Sequence, residues 1–231
     1  MPVQTQMQIT INRLDLADLF VTIRRTTEAL CRPLEPEDFV MQSSLDTSPA
    51  KWHLGHTTWF FERVVLQEHD SDYEPVDPRY SYIFNSYYHT LGGFLPRNRR
   101  HTLCRPTVAE VISYRHRITL RIAEFIRGCD DRTFEAITPL VLVGCNHEQQ
   151  HQELLLTDLK NGYAANPFRP ALTDEGPAGA VAEPSLRFIE FSEGTYEVGA
   201  VGEGFAYDNE FPCHKRYLNA FRLANRPVTN L

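Results

Sequence analysis

Apolar residues recur every three or four positions through four stretches of the first 162 residues, and that period requires helices with one buried face. The first stretch runs from about Asp15 to Cys31 and carries Leu16, Leu19, Phe20, Ile23 and Leu30. The second opens at Ser48-Pro49, an N-cap residue followed by a first-turn proline, and continues through Trp52, His56, Trp59, Phe60 and Val64. Thr107 and Glu110 make a capping box ahead of a stripe that includes Val111, Ile118, Ile122 and Ile126. Thr138-Pro139 predicts the start of a fourth helix, with Asn161-Gly162 as its stop just after Lys160. Four such helices bury their faces most simply against one another, so residues 1–162 are expected to form a four-helix bundle. The connection from about His69 to Arg105 is long for a bundle, and loops of that length usually carry function or local structure.

Beyond the bundle the pattern changes. Residues 163–185 are rich in Pro, Gly, Ala and acidic side chains and are expected to be a linker. Short alternating stretches follow at Leu186–Phe191, Thr195–Val198 and Arg216–Leu223, which predict strands over residues 186–231. The fold class expected is therefore mainly α, a bundle followed by a linker and a small α+β segment. A segment that small rarely supports a core of its own. A formal net charge of -7 argues against nucleic acid or an anionic membrane as a partner. With neither an apolar run long enough to span a bilayer nor an apolar signal core at the N-terminus, a cytoplasmic location is expected. The five cysteines form no CxxC pair, which argues against a thiolate zinc site or a disulfide framework.

The sharpest chemical signal is His147-Glu-Gln-Gln-His151. Histidines at i and i+4 stand one above the other on a helix, so both rings can reach one ion. They fall on a stripe read as Leu140, Val143, His147, His151, Leu154 and Asp158, which points them into the bundle. A metal would satisfy both imidazoles at once, whereas the alternative is a pair of histidines with no ligand. The letters also fit the zinc-protease HExxH pattern, with Glu148 as base, but the next histidine downstream is His214 and no third ligand follows nearby. A third ligand is better sought in Trp52-His53-Leu54-Gly55-His56, where spacing alone does not choose between the two histidines. In the long loop, Phe84-Asn85-Ser86-Tyr87-Tyr88 offers phenols as proton donors, and Pro96-Arg97-Asn98-Arg99-Arg100 offers guanidiniums that can clamp a carboxylate. Packing tyrosines and a solvated basic loop are the alternatives for these two clusters.

Together, SPAKWHLGHTTWFFE, FNSYY, RPTVAEV and HEQQHQELLLTDLK resemble the DinB-like N-terminal domain of the sulfoxide synthases of ergothioneine biosynthesis, the hercynine oxygenases. GTYEVG, GFAYDNEFP and FRLANRPVTN are similar to the start of their formylglycine-generating-enzyme-like domain, so residues 186–231 are expected to be its N-terminal portion. The resemblance covers roughly residues 43–231. It implies Fe(II) held by His56, His147 and His151, with His53 pointing elsewhere. It also implies that Tyr87 and Tyr88 correspond to the tyrosine pair serving as catalytic acid in one branch of the family, and that Gln150, Arg97 and Arg100 lie near substrate. Where Pro-Arg-His is common in the family, this chain has Gly93-Phe94-Leu95.

The activity implied is O2-dependent C–S bond formation, with cysteine or γ-glutamylcysteine joined to hercynine as a sulfoxide. Three neutral imidazoles leave an Fe(II) ion its full charge and three open positions, which suits a thiolate, a substrate imidazole and O2. Three other expectations stand beside it: an ovothiol-type synthase acting on histidine, a DinB-like thiol transferase holding zinc or nickel, and a truncated, inactive paralogue acting as a binding module.

Overall fold

The computed structural model describes residues 10–86, 92–173, 184–202 and 204–228. The chain divides into two compact units, Thr10–Asp174 and the segment that follows it. The first is helical. Its long helices are α1 (Arg13–Leu30), α2 (Ala50–Phe61), α3 (Val108–Gly128) and α4 (Asp131–Ala165). α1 and α2 each pack against both α3 and α4, which makes the four-helix arrangement expected from the periodicity. Phe20, Phe61, Leu66, Ile118, Ile122 and Val141 are among the fully buried side chains at its centre. No helix among the described residues is long and apolar enough to cross a membrane.

Local chemistry explains most of the helix ends. Asn12 caps α1 by accepting from the Asp15 amide, and Thr107 with Glu110 closes the expected capping box on α3. α2 differs by one residue from the sequence expectation. Its cap position is Pro49, while the Ser48 amide donates to Asp158 on α4 at 2.8 Å. At its other end α2 does not stop but passes through a π-helical turn, Glu62–Leu66, into Gln67–His69. The fourth helix departs further. It begins at Asp131, with Asp130 accepting from the Thr133 amide, so Pro139 lies inside the helix. The carbonyl that Pro139 leaves unpaired belongs to exposed Glu135, where water can satisfy it. α4 also runs through Asn161-Gly162, because Gly162 serves a close approach to Met41, whose side chain occupies the space a Cβ would need.

The buried face of α4 is also shifted from the stripe read in the sequence. Ile137, Val141, Cys145, Glu148, Leu155 and Leu159 are buried, Leu154 is exposed and His147 is half-buried. His147 and His151 therefore lie beside the core and not at its middle.

The C-terminal unit contains four short strands, β1 (Phe188–Phe191), β2 (Gly194–Val198), β3 (His214–Leu218) and β4 (Phe221–Ala224). The single stretch expected at Arg216–Leu223 is divided between β3 and β4 by a break at Asn219-Ala220. β2 pairs antiparallel with β3, and β1 pairs antiparallel with β4, with Phe191 opposite Phe221 and their rings stacked at 4.7 Å. No described residue from 184 to 228 is buried, as expected for two ladders of two strands each with no second layer.

Candidate metal centre

All twelve residues of α2 are buried, which sets the histidines of this helix apart from ordinary surface histidines. His56 projects toward α4, where its Nε2 lies 3.2 Å from Nε2 of His147. One ligand atom each from His56, His147 and His151 falls within 4.8 Å of the other two, the only such group of three among the described residues. Two nitrogens bound to one ion at about 2.1 Å stand about 3.0–3.4 Å apart for angles of about 90–110°. The His56–His147 pair already has that spacing. The donor set therefore fits a divalent ion that prefers imidazole.

The ring of His56 is oriented from the long loop. Its Nδ1 donates to the carbonyl oxygen of Phe84 at 2.6 Å, which leaves the lone pair on Nε2 facing the other ligands. Phe84 is held in turn by the loop's anchorage. Glu62, in the π-helical turn, accepts from Tyr73 Oη at 2.7 Å, from Tyr114 Oη at 2.5 Å and from the Val76 amide at 2.8 Å. The other face of the His56 ring stacks on Trp52 at 4.5 Å, and the Arg100 guanidinium lies over Trp52 at 3.3 Å from the ring centre. Arg100 is buried and donates to Ser48 Oγ and Ser86 Oγ.

Burial holds these histidines neutral. It lowers His147 to about 4. Burial also pushes His56 and His151 down, reinforced by His147 at His56 and by His56 at His151. Neutral imidazoles are the form that binds metal, so the site is ready for an ion at pH 7.

Glu148 is not part of the centre. Its Oε2 accepts from Arg24 at 2.8 Å, and its Oε1 accepts from Thr27 at 2.6 Å and from Arg115. With both oxygens engaged and the side chain fully buried, it cannot act as the base of an HExxH site. The matrix of hydroxyls continues through Thr57, Thr58 and Thr119, so one carboxylate and two guanidiniums tie all four helices together.

The model of the DinB superfamily matches residues 19–155, more than half of the chain. The chain belongs to the DinB superfamily. No curated protein matches it. In this DinB member the matched region contains all three histidines of the candidate centre. Among the other residues singled out in the sequence, Arg100 lies one ring, Trp52, away from the group, and Arg97 is half-buried, donating to the Asp46 carbonyl oxygen at 3.2 Å. Gln150 is exposed on α4 between the two histidines of that helix. Tyr87 and Tyr88 lie outside the described residues.

His53 lies outside the group of three but directly beside it. It is buried, and its Nδ1 lies 2.8 Å from Nδ1 of His151. Three residues on a helix turn only about 60° short of a full circle, and α2 is enclosed on every side, so both of its histidines face the interior. Asp158 was visible in the sequence as an acidic residue on the stripe of α4, which was the available signal for the pairing with His53. Arg24 and Arg115 gave no signal, because one arginine in a helix looks like another until its partner is known.

Gly55, between the two histidines, permits this geometry. A Cβ there would overlap the Phe84 ring. Alanine ordinarily gains about 1 kcal/mol over glycine inside a helix, but overpacking costs about 1–3 kcal/mol. Gly55→Ala is expected to lower the thermal midpoint and to weaken zinc binding, because Phe84 and its carbonyl must move. Circular dichroism melts with and without zinc check both effects.

Proposed function

We propose that the chain is a non-heme Fe(II), O2-dependent sulfoxide synthase of the hercynine oxygenase type, joining the thiol of cysteine or γ-glutamylcysteine to hercynine. The observation that carries this reading is a donor set of three neutral imidazoles, two buried and one half-buried, with no carboxylate, the neighbouring Glu148 being committed to Arg24 and Arg115. The order of motifs described above supports the substrate class. Bound Fe(II) would supply activation of O2 and open positions for the substrate thiolate and imidazole. The chain's own residues then orient and screen. His56 is fixed by Phe84, Trp52 walls one side of the ring, and Arg100 contributes positive charge suited to a substrate carboxylate. Tyr87 and Tyr88 are the proton donors in this reading. A phenol with pKa near 10 is protonated at neutral pH and donates without tuning. The balance is simple: the thiol loses S–H, the imidazole loses C–H, and O2 takes four electrons to become the sulfoxide oxygen and one water.

The test is anaerobic Fe(II) loading followed by hercynine, each thiol in turn, and O2. The expected result is O2 uptake with a product whose mass equals both substrates plus one oxygen less two hydrogens. Tyr87→Phe with Tyr88→Phe should divert O2 toward oxidation of the thiol alone, with iron affinity nearly unchanged. Use of histidine in place of hercynine would assign the ovothiol type. A second reading, a zinc or nickel thiol transferase, is favoured by the same three histidines within the DinB superfamily. It predicts thiol transfer to an electrophile without O2 uptake, and that result would replace the iron reading.

A further inference from the structure

We propose that His53 and Asp158 are positioning residues that form a hydrogen-bond relay locking His151 in its Nδ1–H form, so that Nε2 is the atom it presents to a metal. The inference rests on the metal-site reading of the three histidines and is independent of the reaction proposed for them.

The Nδ1 atoms of His53 and His151 lie 2.8 Å apart, a separation that requires a single proton between them. Two neutral imidazoles can meet this in two ways, with either ring as donor. Asp158 chooses between them. Its Oδ2 lies 3.1 Å from His53 Nε2, and a carboxylate only accepts, so the His53 proton must sit on Nε2. His53 Nδ1 is then a lone pair, His151 Nδ1–H donates to it, and His151 Nε2 is left free.

Asp158 is itself held in place. The same Oδ2 accepts from the Ser48 amide at 2.8 Å, just ahead of α2. The relay thus spans α4 to α2 and back to α4, and it fixes the orientation of a ligand on one helix by a ring on the other. His53 is not a fourth ligand, since both of its nitrogens are engaged. It also polarises His151 more strongly than a carbonyl polarises His56, because the far end of the relay is a carboxylate. His147 differs from both, with its Nδ1 buried and without a hydrogen-bond partner among the described residues. Orientation from outside the ligand set is therefore concentrated on His56 and His151.

The test uses the whole chain and two independent readouts. Long-range proton–nitrogen correlation NMR on protein labelled with 15N-histidine reads the tautomers directly, with zinc and without it. The expected result is Nδ1–H on His151 and Nε2–H on His53. Zinc affinity by chelator competition and the ligand-field spectrum of the Co(II) form read the consequence. His53→Phe keeps a ring but removes the acceptor, and zinc affinity should fall by about 10–100-fold with an altered Co(II) spectrum. His53→Asn restores an acceptor near the Nδ1 position and should recover most of that loss. Asp158→Asn releases the choice of tautomer and should give a mixture on His53. An Nε2–H form of His151 in the metal-free wild type overturns the relay, as does unchanged affinity and spectrum in a folded His53→Phe. If the wild type takes up neither zinc nor cobalt, the metal-site reading fails, while the tautomers of the metal-free protein still decide the relay. Should His53→Phe not fold, the wild-type NMR result stands as the deciding one.

Discussion

Replacing Glu148 with alanine should destabilise the bundle by about 3–5 kcal/mol, enough to unfold much of a marginally stable domain at 37 °C. The carboxylate, Arg24 and Arg115 are all fully buried. Removing this carboxylate leaves two guanidiniums facing each other in the core, Arg24 with hydroxyls alone and Arg115 with the half-exposed Glu28 carboxylate, the Arg24 carbonyl oxygen and a hydroxyl. The desolvation of Arg24 is then uncompensated and that of Arg115 only partly compensated, which is the costly way to break a buried ion pair. Glu148→Gln keeps the volume but not the charge and should fall close to alanine in effect. Urea unfolding followed by circular dichroism measures it. If Glu148 were instead a catalytic base, the glutamine variant would remain stable and lose only activity.

The same triad fixes a pH dependence. Burial pushes the Glu148 carboxyl up, but Arg115 and Arg24 outweigh it and bring it down to about 2. A carboxyl whose folded value lies below its unfolded value stabilises fully above the unfolded value, about 4.5. That stability is lost as pH falls from there toward about 2. A guanidinium does not titrate in this window, so the loss belongs to the carboxylate. Acid unfolding should therefore steepen below about pH 4.5, and Glu148→Gln should flatten that part of the curve.

The helices were legible because their determinants are local. The capping box at Thr107 and Glu110 involves neighbours in the chain, and so does the three-to-four spacing of each stripe. Ends fixed by distant contacts were not legible. Gly162 resembles a stop until Met41 is found against it, whereas Pro139 masked a start that is set nine residues earlier by a local cap, Asp130 on the Thr133 amide. The ligand set divides in the same way. The i and i+4 pair at His147 and His151 can be read from spacing, but His56 and His53 are equivalent in sequence. What separates them is a loop carbonyl at Phe84 for one and Asp158 for the other, 28 and 105 residues away. The Glu148 triad was hidden for a similar reason, since its arginines come from α1 and α3. Strand positions followed from alternation, whereas the pairing of β1 with β4 around β2 and β3 depends on contacts that alternation does not encode.

Zinc or Fe(II) should stabilise the folded chain, and His56→Ala or His151→Ala should abolish nearly all of that gain. A ligand that binds only the folded state adds about 4 kcal/mol at 1,000 times its dissociation constant. Loss of one of three protein ligands should weaken binding by more than the about 10–100-fold that an outer hydrogen-bond partner costs. At a fixed metal concentration the thermal midpoint of either variant should then barely respond to the ion, while that of the wild type rises by several degrees. Without metal the order changes. Each variant removes a buried imidazole that is held neutral at a cost, so the metal-free midpoint should fall far less than in Glu148→Ala. The pH profile of binding separates this site from a chance cluster on the surface. Protons and metal compete for the same lone pairs, and burial keeps His147 at about 4 with His56 and His151 also lowered. Few protons need to leave at neutral pH, so affinity should stay nearly level from about pH 8 to pH 6 and fall as the solution approaches about pH 4. Histidines at the surface, with ordinary values near 6.5, would instead lose affinity steadily from about pH 7 downward. Calorimetric titration across that range, with EDTA-stripped protein as the starting state, reads both the level region and the fall.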